Sequence, residues 1–209
     1  TSIVGGGANG CILHYIENKD MLKNGDLVLI DAGCEFEDYA SDITRTCPVN
    51  GKFSDEQAAI YDIVLKALKE AIDVTQAGTP YNKTNETTIR VITEGLVELG
   101  LLKGDINDLI KAEAHREFYM HGAGHWLGLD VHDVGDYKID GEWRIYEPGM
   151  VVTIEPGIYI SPKNKKVDTK WRGIGVRIED DIVITKTGNI NLTSKVPKER
   201  NEIEKMMAK

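Results

Sequence analysis

Short runs of apolar residues, bounded by glycine and polar residues, predict β-strands toward both ends of the chain. Residues 27–35 and 39–48 predict two strands that are joined by a polar turn. Residues 11–15 predict an earlier strand. The glycine-rich stretch 5–10 before it predicts a tight irregular turn, because it lacks the lysine of a phosphate-binding loop. From Val151 onward the pattern returns to strands, so a region of different character lies between the two groups.

This central region has the spacing of amphipathic helices. Ser54 and Gln57 form a capping box that begins a long helix. The apolar stripe of this helix consists of Ile60, Ile63, Val64, Ala67, Leu68, Ala71 and Ile72. Further helices are predicted at residues 85–99, 105–114 and 198–208. Gly100 gives the second helix its stop signal. Strands and helices together predict a mixed fold in one domain.

Composition places the chain among ordinary globular proteins, with 209 residues, 41% of them hydrophobic and 28% charged. The net charge of -9 argues against nucleic acid or an anionic membrane surface as the main partner. No run approaches the roughly 18 apolar residues of a membrane span, and the start lacks the pattern of a signal peptide. The three cysteines, Cys11, Cys34 and Cys47, form no close pair, which is typical of a reducing compartment. These features predict a cytoplasmic protein.

Two carboxylates end similar apolar runs. Asp31 follows residues 27–30, and Glu155 follows residues 151–154. Each segment has four largely apolar residues, a carboxylate, a small or cyclic residue and a glycine. Coincidence would explain one such match, because apolar strands often end at glycine. A true repeat instead predicts two related halves that contribute carboxylates to a shared cleft.

Asp42 and Glu179 complete a set of acids that is costly to bury unless a cation neutralises it. Asp42 lies on the predicted strand after Asp31, so antiparallel pairing would bring these two carboxylates together. Neighbouring carboxylates repel and raise each other's pKa when no cation lies between them. One such acid is explained by a satisfied core residue, whereas four predict a metal site.

Histidines accompany glycines in the middle of the chain. The segment His121-Gly122-Ala123-Gly124-His125-Trp126-Leu127-Gly128 contains two of them, and His132 follows it closely. A lone histidine here would indicate a structural turn. Together with His14, however, four of the five histidines lie in glycine-bearing or strand-end segments, which favours a site. Carboxylates with one imidazole suit Mn²⁺, Fe²⁺, Co²⁺ or Zn²⁺ in a two-metal centre.

Taken together, the motifs resemble those of the pita-bread metallopeptidases, and among these the bacterial aminopeptidases P. The segments that carry the resemblance are Ile30-Asp31-Ala32-Gly33, Asp42-Ile43-Thr44-Arg45-Thr46, the segment from His121 to Gly128, His132-Asp133-Val134-Gly135, Glu147-Pro148-Gly149-Met150, Ile154-Glu155-Pro156-Gly157 and Arg172-Gly173-Ile174-Gly175-Val176-Arg177-Ile178-Glu179-Asp180. This ordered set covers essentially the whole chain. It implies an α+β pita-bread fold with two pseudo-symmetric halves around a curved antiparallel sheet. It also implies a single catalytic domain over residues 1–209, without the N-terminal domain that precedes it in the family.

The resemblance further implies a dinuclear site, usually occupied by Mn²⁺, with Co²⁺, Zn²⁺ or Fe²⁺ as alternatives. Its ligands would be Asp31, Asp42, His125, Glu155 and Glu179. Asp42 and Glu179 would bridge the two ions. A water or hydroxide between the ions would be the nucleophile.

The same resemblance implies catalytic roles for further residues. Glu155 would also take a proton from the attacking water and pass it to the leaving nitrogen. His132 and His14 would hydrogen-bond the substrate and the tetrahedral intermediate, and His121 would shape the adjoining subsite. Arg177 would orient a carboxylate ligand or bind substrate, unless it forms a plain surface salt bridge.

Three functions follow as alternatives. The first, which the motifs favour, is an X-Pro aminopeptidase that removes the first residue of a peptide whose second residue is proline. The second is a prolidase that acts on X-Pro dipeptides only. The third is a non-catalytic binding module of the same fold, and the intact ligand set argues against it. The expected partner is a peptide substrate. A homo-oligomer is expected as well, weakened without the N-terminal domain.

Overall fold

The computed structural model describes residues 1–208 and has mixed helix and strand content. Its strands are β1 (Ile3–Gly6), β2 (Leu27–Asp31), β3 (Glu35–Phe36), β4 (Tyr39–Ala40), β5 (Thr44–Pro48), β6 (Lys138–Ile139), β7 (Glu142–Trp143), β8 (Val151–Ile154), β9 (Gly157–Tyr159), β10 (Gly175–Arg177), β11 (Asp180–Thr185) and β12 (Gly188–Asn191). Its helices are α1 (Asp55–Val74), α2 (Asn82–Glu98), α3 (Ile106–Lys111) and α4 (Arg200–Met207). Among residues 1–208, no helix combines the length and the apolar character that crossing a membrane requires.

Two three-stranded antiparallel sheets form the two halves, in the orders β1-β2-β5 and β12-β11-β8. In the first half, β2 ends at Asp31 and pairs with β5, which begins two residues after Asp42 and places Thr44 opposite Asp31. In the second half, β8 ends just before Glu155 and pairs with β11, which begins just after Glu179. The two similar sequence segments therefore occupy equivalent places. Each leads a strand to a carboxylate, and the partner strand starts after another carboxylate.

The halves are joined near the short antiparallel pair β9–β10. The backbone N–H of Glu179 donates to the carbonyl of Thr44 at 3.1 Å. The hydroxyl of Thr46 donates to the carbonyl of Arg177 at 2.9 Å. These bonds hold the end of β10 beside the start of β5, so the carboxylates of both halves come together.

The main apolar core joins α1 and α2 to strands β8–β11. The capping box of α1 is confirmed, because Ser54 and Gln57 each accept the other's backbone N–H with a side-chain oxygen. The predicted stripe is confirmed too, with Ile60, Val64, Ala67, Leu68 and Ala71 fully buried and Ile63 and Ile72 partly buried. Gly95 of α2 allows the helices to approach closely, since an added Cβ would overlap the side chain of Ile63.

The predicted strand at residues 11–15 is wrong. The chain leaves β1 at Gly6 and forms a 3-10 turn over Gly7–Cys11, which the Ile12 N–H closes by donating to the Asn9 carbonyl at 3.0 Å. The predicted irregular turn is thus present, but it starts at Gly7, whose φ of 54° glycine adopts without steric cost. The strand that pairs with β2 is β1, which lies before this turn and includes Gly5 and Gly6, the first two glycines of the glycine-rich stretch.

Other boundaries also differ from the predictions. The predicted strands 27–35 and 39–48 are each interrupted, at residues 32–34 and 41–43, where Gly33 packs so closely on the Ser41 carbonyl that an added Cβ would collide with it. Helix α2 begins at Asn82, ahead of the predicted start at 85. Helix α3 is shorter than the predicted 105–114, because the chain reaches a left-handed φ of 51° at Glu113 and continues as a 3-10 turn.

The hairpin β6–β7 was not predicted. Asp140 and Gly141 occupy its two-residue turn with φ values of 52° and 87°, the positive values that a tight hairpin requires. Trp143 at its end stacks on Tyr81, with 6.3 Å between the ring centroids. The hairpin therefore places an aromatic ring beside the start of α2.

Candidate metal centre

One cleft brings together side chains that lie far apart in the sequence. Its cavity has a volume of about 280 Å³. It is lined by Leu13, His14, Asp31, Asp42, His121, Gly122, Gly124, His125, His132, Glu155 and Arg177. Glu179 lies against this cleft, since ligand atoms of Asp42, His125 and Glu179 all lie within 4.8 Å of one another. All the residues that the sequence suggested for the site are thus neighbours, while their individual roles stay predictions.

Glycines allow the ligand-bearing segments to approach one another. Gly33 packs against the carbonyl of Ser41, the residue before Asp42, and Gly124, the residue before His125, packs against the carbonyl of Thr153. At either glycine an added Cβ would overlap the carbonyl oxygen. Each glycine therefore permits a backbone contact immediately beside a candidate ligand.

The His125 ring is held in one tautomer. Its Nδ1 lies 2.9 Å from the Trp126 carbonyl, which only accepts, so Nδ1 carries the proton. The lone pair of Nε2 is then free, 3.6 Å from Asp42 Oδ2 and 3.7 Å from Glu155 Oε1. Burial lowers the pKa of His125, but the adjacent Asp42 carboxylate, the Trp126 carbonyl and the charge of Glu155 more than offset it, so the pKa is raised. The site favours positive charge at this position.

Glu179 has the most costly environment of the four carboxylates. Its side chain is buried, and Oε2 accepts a hydrogen bond from the Thr44 hydroxyl at 2.6 Å. Its Oε1 is buried without a hydrogen-bond partner among residues 1–208. Burial, followed by the charges of Glu155, Asp42 and Asp31, raises the pKa of Glu179 well above its usual range. A buried carboxylate oxygen without a donor fits a hard divalent cation.

Two of the other three carboxylates also have raised pKa values, whereas the pKa of Asp42 is lowered although burial opposes this. Burial raises the pKa of Glu155 to about 7 and that of Asp31 to about 6, although the charge of Arg177 opposes both shifts. The residues present therefore fit a divalent metal. Asp42, His125 and Glu179 form a buried group that is able to hold one.

Arg177 is buried, at 3% exposure, which excludes the plain surface salt bridge. Its guanidinium donates to Asp31 Oδ2 at 2.6 Å and to the Tyr159 hydroxyl at 3.1 Å. Tyr159 in turn lies 2.8 Å from His121 Nε2. The opposite ring nitrogen of His121 faces the Gly122 carbonyl at 2.8 Å, so Nε2 accepts the Tyr159 proton. Arg177 thus orients the Asp31 carboxylate and, through Tyr159, the His121 ring.

The sequence interpretation missed Tyr159, Thr44 and a buried ionic network around Asp180. Asp180 is fully buried and accepts from Arg45 at 2.8 Å and from Lys198 at 2.6 Å. Asn191 and Thr193 supply two more donors, each at 2.7 Å. The same Arg45 also donates to the backbone carbonyls of Thr44 and Glu179. The run of three acids at 179–181, entering a buried strand, was the available signal.

Arg45→Met is expected to lower the free energy of unfolding by about 1.5–3 kcal/mol, because it removes a charged hydrogen bond to the buried Asp180, which keeps Lys198 as its charged partner. Urea unfolding at pH 7 measures the change. Lys66→Met is the matched control, since its ion pair with Glu70 is exposed and should contribute less than about 1 kcal/mol. Equal losses in the two variants would contradict the prediction.

In the presence of a chelator, the free energy of unfolding is expected to fall as pH rises from about 6.5 to 7.5, above the range in which the lowered pKa of His121 gives the opposite trend. The folded pKa values of Asp31 and Glu155, about 6 and about 7, exceed the ordinary 3.8 and 4.5. In this range the folded state holds protons that the unfolded state has lost, so each rise in pH favours unfolding. Saturating Mn²⁺ should remove this decline, because it binds only the folded site. Urea unfolding at several pH values, with chelator or Mn²⁺, tests this; stability that rises with pH in chelator would refute it.

Comparison with known proteins places the chain among characterised relatives. The profile of metallopeptidase family M24 matches residues 1–186. An Xaa-Pro aminopeptidase of Escherichia coli is 58% identical over 206 residues, which cover 99% of this chain and 46% of the relative. One of Haemophilus influenzae is 59% identical over 206 residues, which cover 99% and 47%. The solved structure of aminopeptidase PepP from Pseudomonas aeruginosa matches with a TM-score of 0.98 at 61% identity, covering 99% of this chain and 47% of that one.

The chain spans about half the length of the curated relatives it matches. Over that span, the structural match confirms the predicted α+β pita-bread fold.

Proposed function

Because the chain belongs to metallopeptidase family M24, we propose that it carries the catalytic site of an Xaa-Pro aminopeptidase. Such an enzyme is a hydrolase that removes the first residue of a peptide whose second residue is proline. Relatives at 58% and 59% identity bear this name. The observation that carries the proposal is that four carboxylates meet at one cleft, with Asp42 and Glu155 within 4 Å of His125 Nε2 and Glu179 in the same buried group. Burying these carboxylates together is costly without a metal, which argues against a binding module that has lost its metal.

Five residues would hold the metal. The proposed ligands are Asp31, Asp42, His125, Glu155 and Glu179, with Asp42 and Glu179 shared between two divalent ions. Mn²⁺ is the proposed metal, because carboxylate oxygens with a single imidazole suit it. Bound there, the ions would act as Lewis acids that lower the pKa of a water and stabilise negative charge on the carbonyl oxygen.

Glu155 is the proposed acid–base group. Burial raises its pKa to about 7, which suits proton transfer near neutral pH. Its backbone N–H donates to the Ala123 carbonyl at 2.7 Å, and this bond fixes the backbone position from which the Glu155 side chain extends. From there Glu155 would accept a proton from water and pass it to the leaving nitrogen.

Three histidines would bind substrate. Burial, followed by the neighbouring charge of His125, lowers the pKa of His132, whose ring lies 4.0 Å from that of His125. Neutral His132, with His14 across the cleft, would hydrogen-bond the substrate carbonyl. Burial lowers the pKa of His121 to about 4, so this ring is also neutral and would shape the subsite beside Tyr159.

We also propose that residues 1–209 form a single catalytic domain, since one buried core joins elements from Leu27 to Ile203. A cytoplasmic location is proposed as well. It is supported by the free thiols of Cys11, Cys34 and Cys47.

The substrate class is tested by comparing an X-Pro-Y tripeptide with the matching X-Pro dipeptide, at a fixed Mn²⁺ concentration. The proposal predicts a kcat/KM for Ala-Pro-Ala that exceeds that for Ala-Pro by at least roughly tenfold, about 1.4 kcal/mol of transition-state stabilisation. The reverse order would identify a prolidase. Failure to hydrolyse either peptide, with metal bound, would favour the binding module.

A further inference from the structure

A second cavity, of about 410 Å³, lies beside the metal cleft and has a different chemistry. Its wall is largely aromatic and includes the rings of Tyr81, Tyr137, Trp143 and Tyr146. We call it the aromatic cavity. Tyr137 and Trp143 are 37% and 39% exposed, so the cavity opens to solvent between them. A concave, aromatic space of this size suits the apolar part of a ligand.

The aromatic cavity adjoins the metal cleft directly. Gly122 and Gly124 line both spaces, so at these two residues only glycine backbone lies between them. The Tyr81 hydroxyl donates to the Gly124 carbonyl at 2.6 Å. This bond fixes the aromatic wall to the segment that carries His121 and His125. The aromatic cavity is therefore the neighbouring space for a ligand that extends past these two glycines.

A different part of the cleft wall is acidic. A third cavity, of about 540 Å³, shares His14, Asp31, Asp42 and His132 with the cleft. Glu35 adds another carboxylate there, whereas Glu86 is the one acid of the aromatic cavity. Glu35 is not a proposed metal ligand, so its charge remains to attract the free α-ammonium of a peptide to this side when metal neutralises Asp31 and Asp42. The rest of the peptide then leads away from it, toward the two shared glycines.

Asn85 gives the aromatic cavity a polar contact. Its Oδ1 atom is buried and has no hydrogen-bond partner within residues 1–208. Leaving such an acceptor unpaired is costly, and a turn of the Asn85 amide toward the cavity would let a ligand donor remove that cost. A peptide backbone offers an N–H donor at every residue other than proline.

We propose that the aromatic cavity binds the side chain of the substrate residue that follows proline, and that it selects apolar and aromatic side chains there. The inference rests on the proposed function, because it takes the substrate to be a peptide with its first residue in the metal cleft. It adds a specificity-determining surface, made mainly by Trp143 and Tyr137, at the third position of the substrate.

The test compares Ala-Pro-Phe-amide with Ala-Pro-Ala-amide, at saturating Mn²⁺. We expect kcat/KM to be about tenfold higher for the phenylalanine peptide, mostly through a lower KM. Trp143→Ala should reduce this ratio to within about twofold, because it removes an open aromatic wall. Phe36→Ala is the matched control, since it removes an exposed ring from the other hairpin, β3–β4, and should keep the full ratio. Tyr137→Ala serves as a second test if the Trp143 variant fails to fold.

Several outcomes would overturn the subsite. Equal kcat/KM for the two peptides in the wild type would do so, as would a phenylalanine preference that survives both aromatic substitutions. A further comparison, of Phe-Pro-Ala-amide with Ala-Pro-Ala-amide, measures the preference at the first residue. If Trp143→Ala weakens the preference at the first residue instead, the cavity holds the N-terminal side chain and the assignment is wrong. All these results leave the proposed function intact, whereas absence of hydrolysis for every peptide would refute both.

Discussion

Glu155→Gln is expected to lower kcat for X-Pro-Y peptides by on the order of 10²–10⁴, the usual contribution of a positioned acid–base group. The amide keeps an oxygen for the metal but cannot accept a proton. Burial raises the pKa of Glu155 to about 7, so the native carboxylate can both take and return a proton near neutral pH. The loss should fall on kcat more than on KM, because the proton transfer occurs only in the transition state.

Steady-state kinetics at matched metal content measure this effect. Metal analysis of each sample separates loss of acid–base chemistry from loss of ligation. Glu98→Gln is a suitable control, since Glu98 is exposed at the end of α2 and should leave kcat unchanged. A Glu155→Gln enzyme with unchanged kcat and full metal would rule out the acid–base role.

Glu179→Ala is expected to abolish binding of both ions and, with it, activity. Glu179 is proposed as a shared ligand, and its Oε1 is buried without a hydrogen-bond partner among the described residues. Asp42→Ala should have the same effect, because Asp42 is the other proposed shared ligand. Removal of a crowded, buried carboxylate relieves repulsion with Glu155 and Asp31, so the metal-free variant should still fold.

Elemental analysis after dialysis against Mn²⁺ reports the ions per chain. Thermal unfolding checks that each variant is folded. Asp38→Asn provides the control, since Asp38 lies exposed in the β3–β4 turn with a φ of 64°, which asparagine also tolerates. Full metal occupancy in Glu179→Ala or Asp42→Ala would overturn the assignment of shared ligands.

The neighbourhood of the site could be predicted because its members stand at strand ends. A carboxylate that follows a buried run is costly, and this cost is visible in the sequence at Asp31 and Glu155. Antiparallel pairing of strands on either side of a turn then brings Asp42 beside Asp31. The two similar segments that end in Asp31 and Glu155 also predicted the two halves of the fold, because each half leads a strand to its carboxylate.

The supporting contacts could not be predicted, because they join segments that lie far apart in the chain. Tyr159 reads as part of an apolar strand, yet its hydroxyl lies between Arg177 and His121. Thr44 supports Glu179 from the other half of the fold. Such partners depend on how the halves dock, which local hydrophobic patterns do not encode.

The errors in strand and helix limits have local causes. Residues 11–15 have a strand-like composition, but they form the end of a 3-10 turn and a loop. The turn begins at Gly7, whose positive φ allows the chain to change direction there. The hairpin β6–β7 escaped notice because its strands contain two residues each and bury little apolar surface. Patterns of two residues give no periodicity to detect.

The most direct test of the central claim is the product analysis of one peptide, Ala-Pro-Ala-Phe, incubated with the Mn²⁺-loaded protein. Mass spectrometry and a parallel incubation with chelator identify which bond is cut and whether metal is required. The account predicts release of alanine and Pro-Ala-Phe only, with no release in chelator and at most a trace with Glu155→Gln. Cleavage at another bond, or undiminished alanine release by Glu155→Gln, would contradict it.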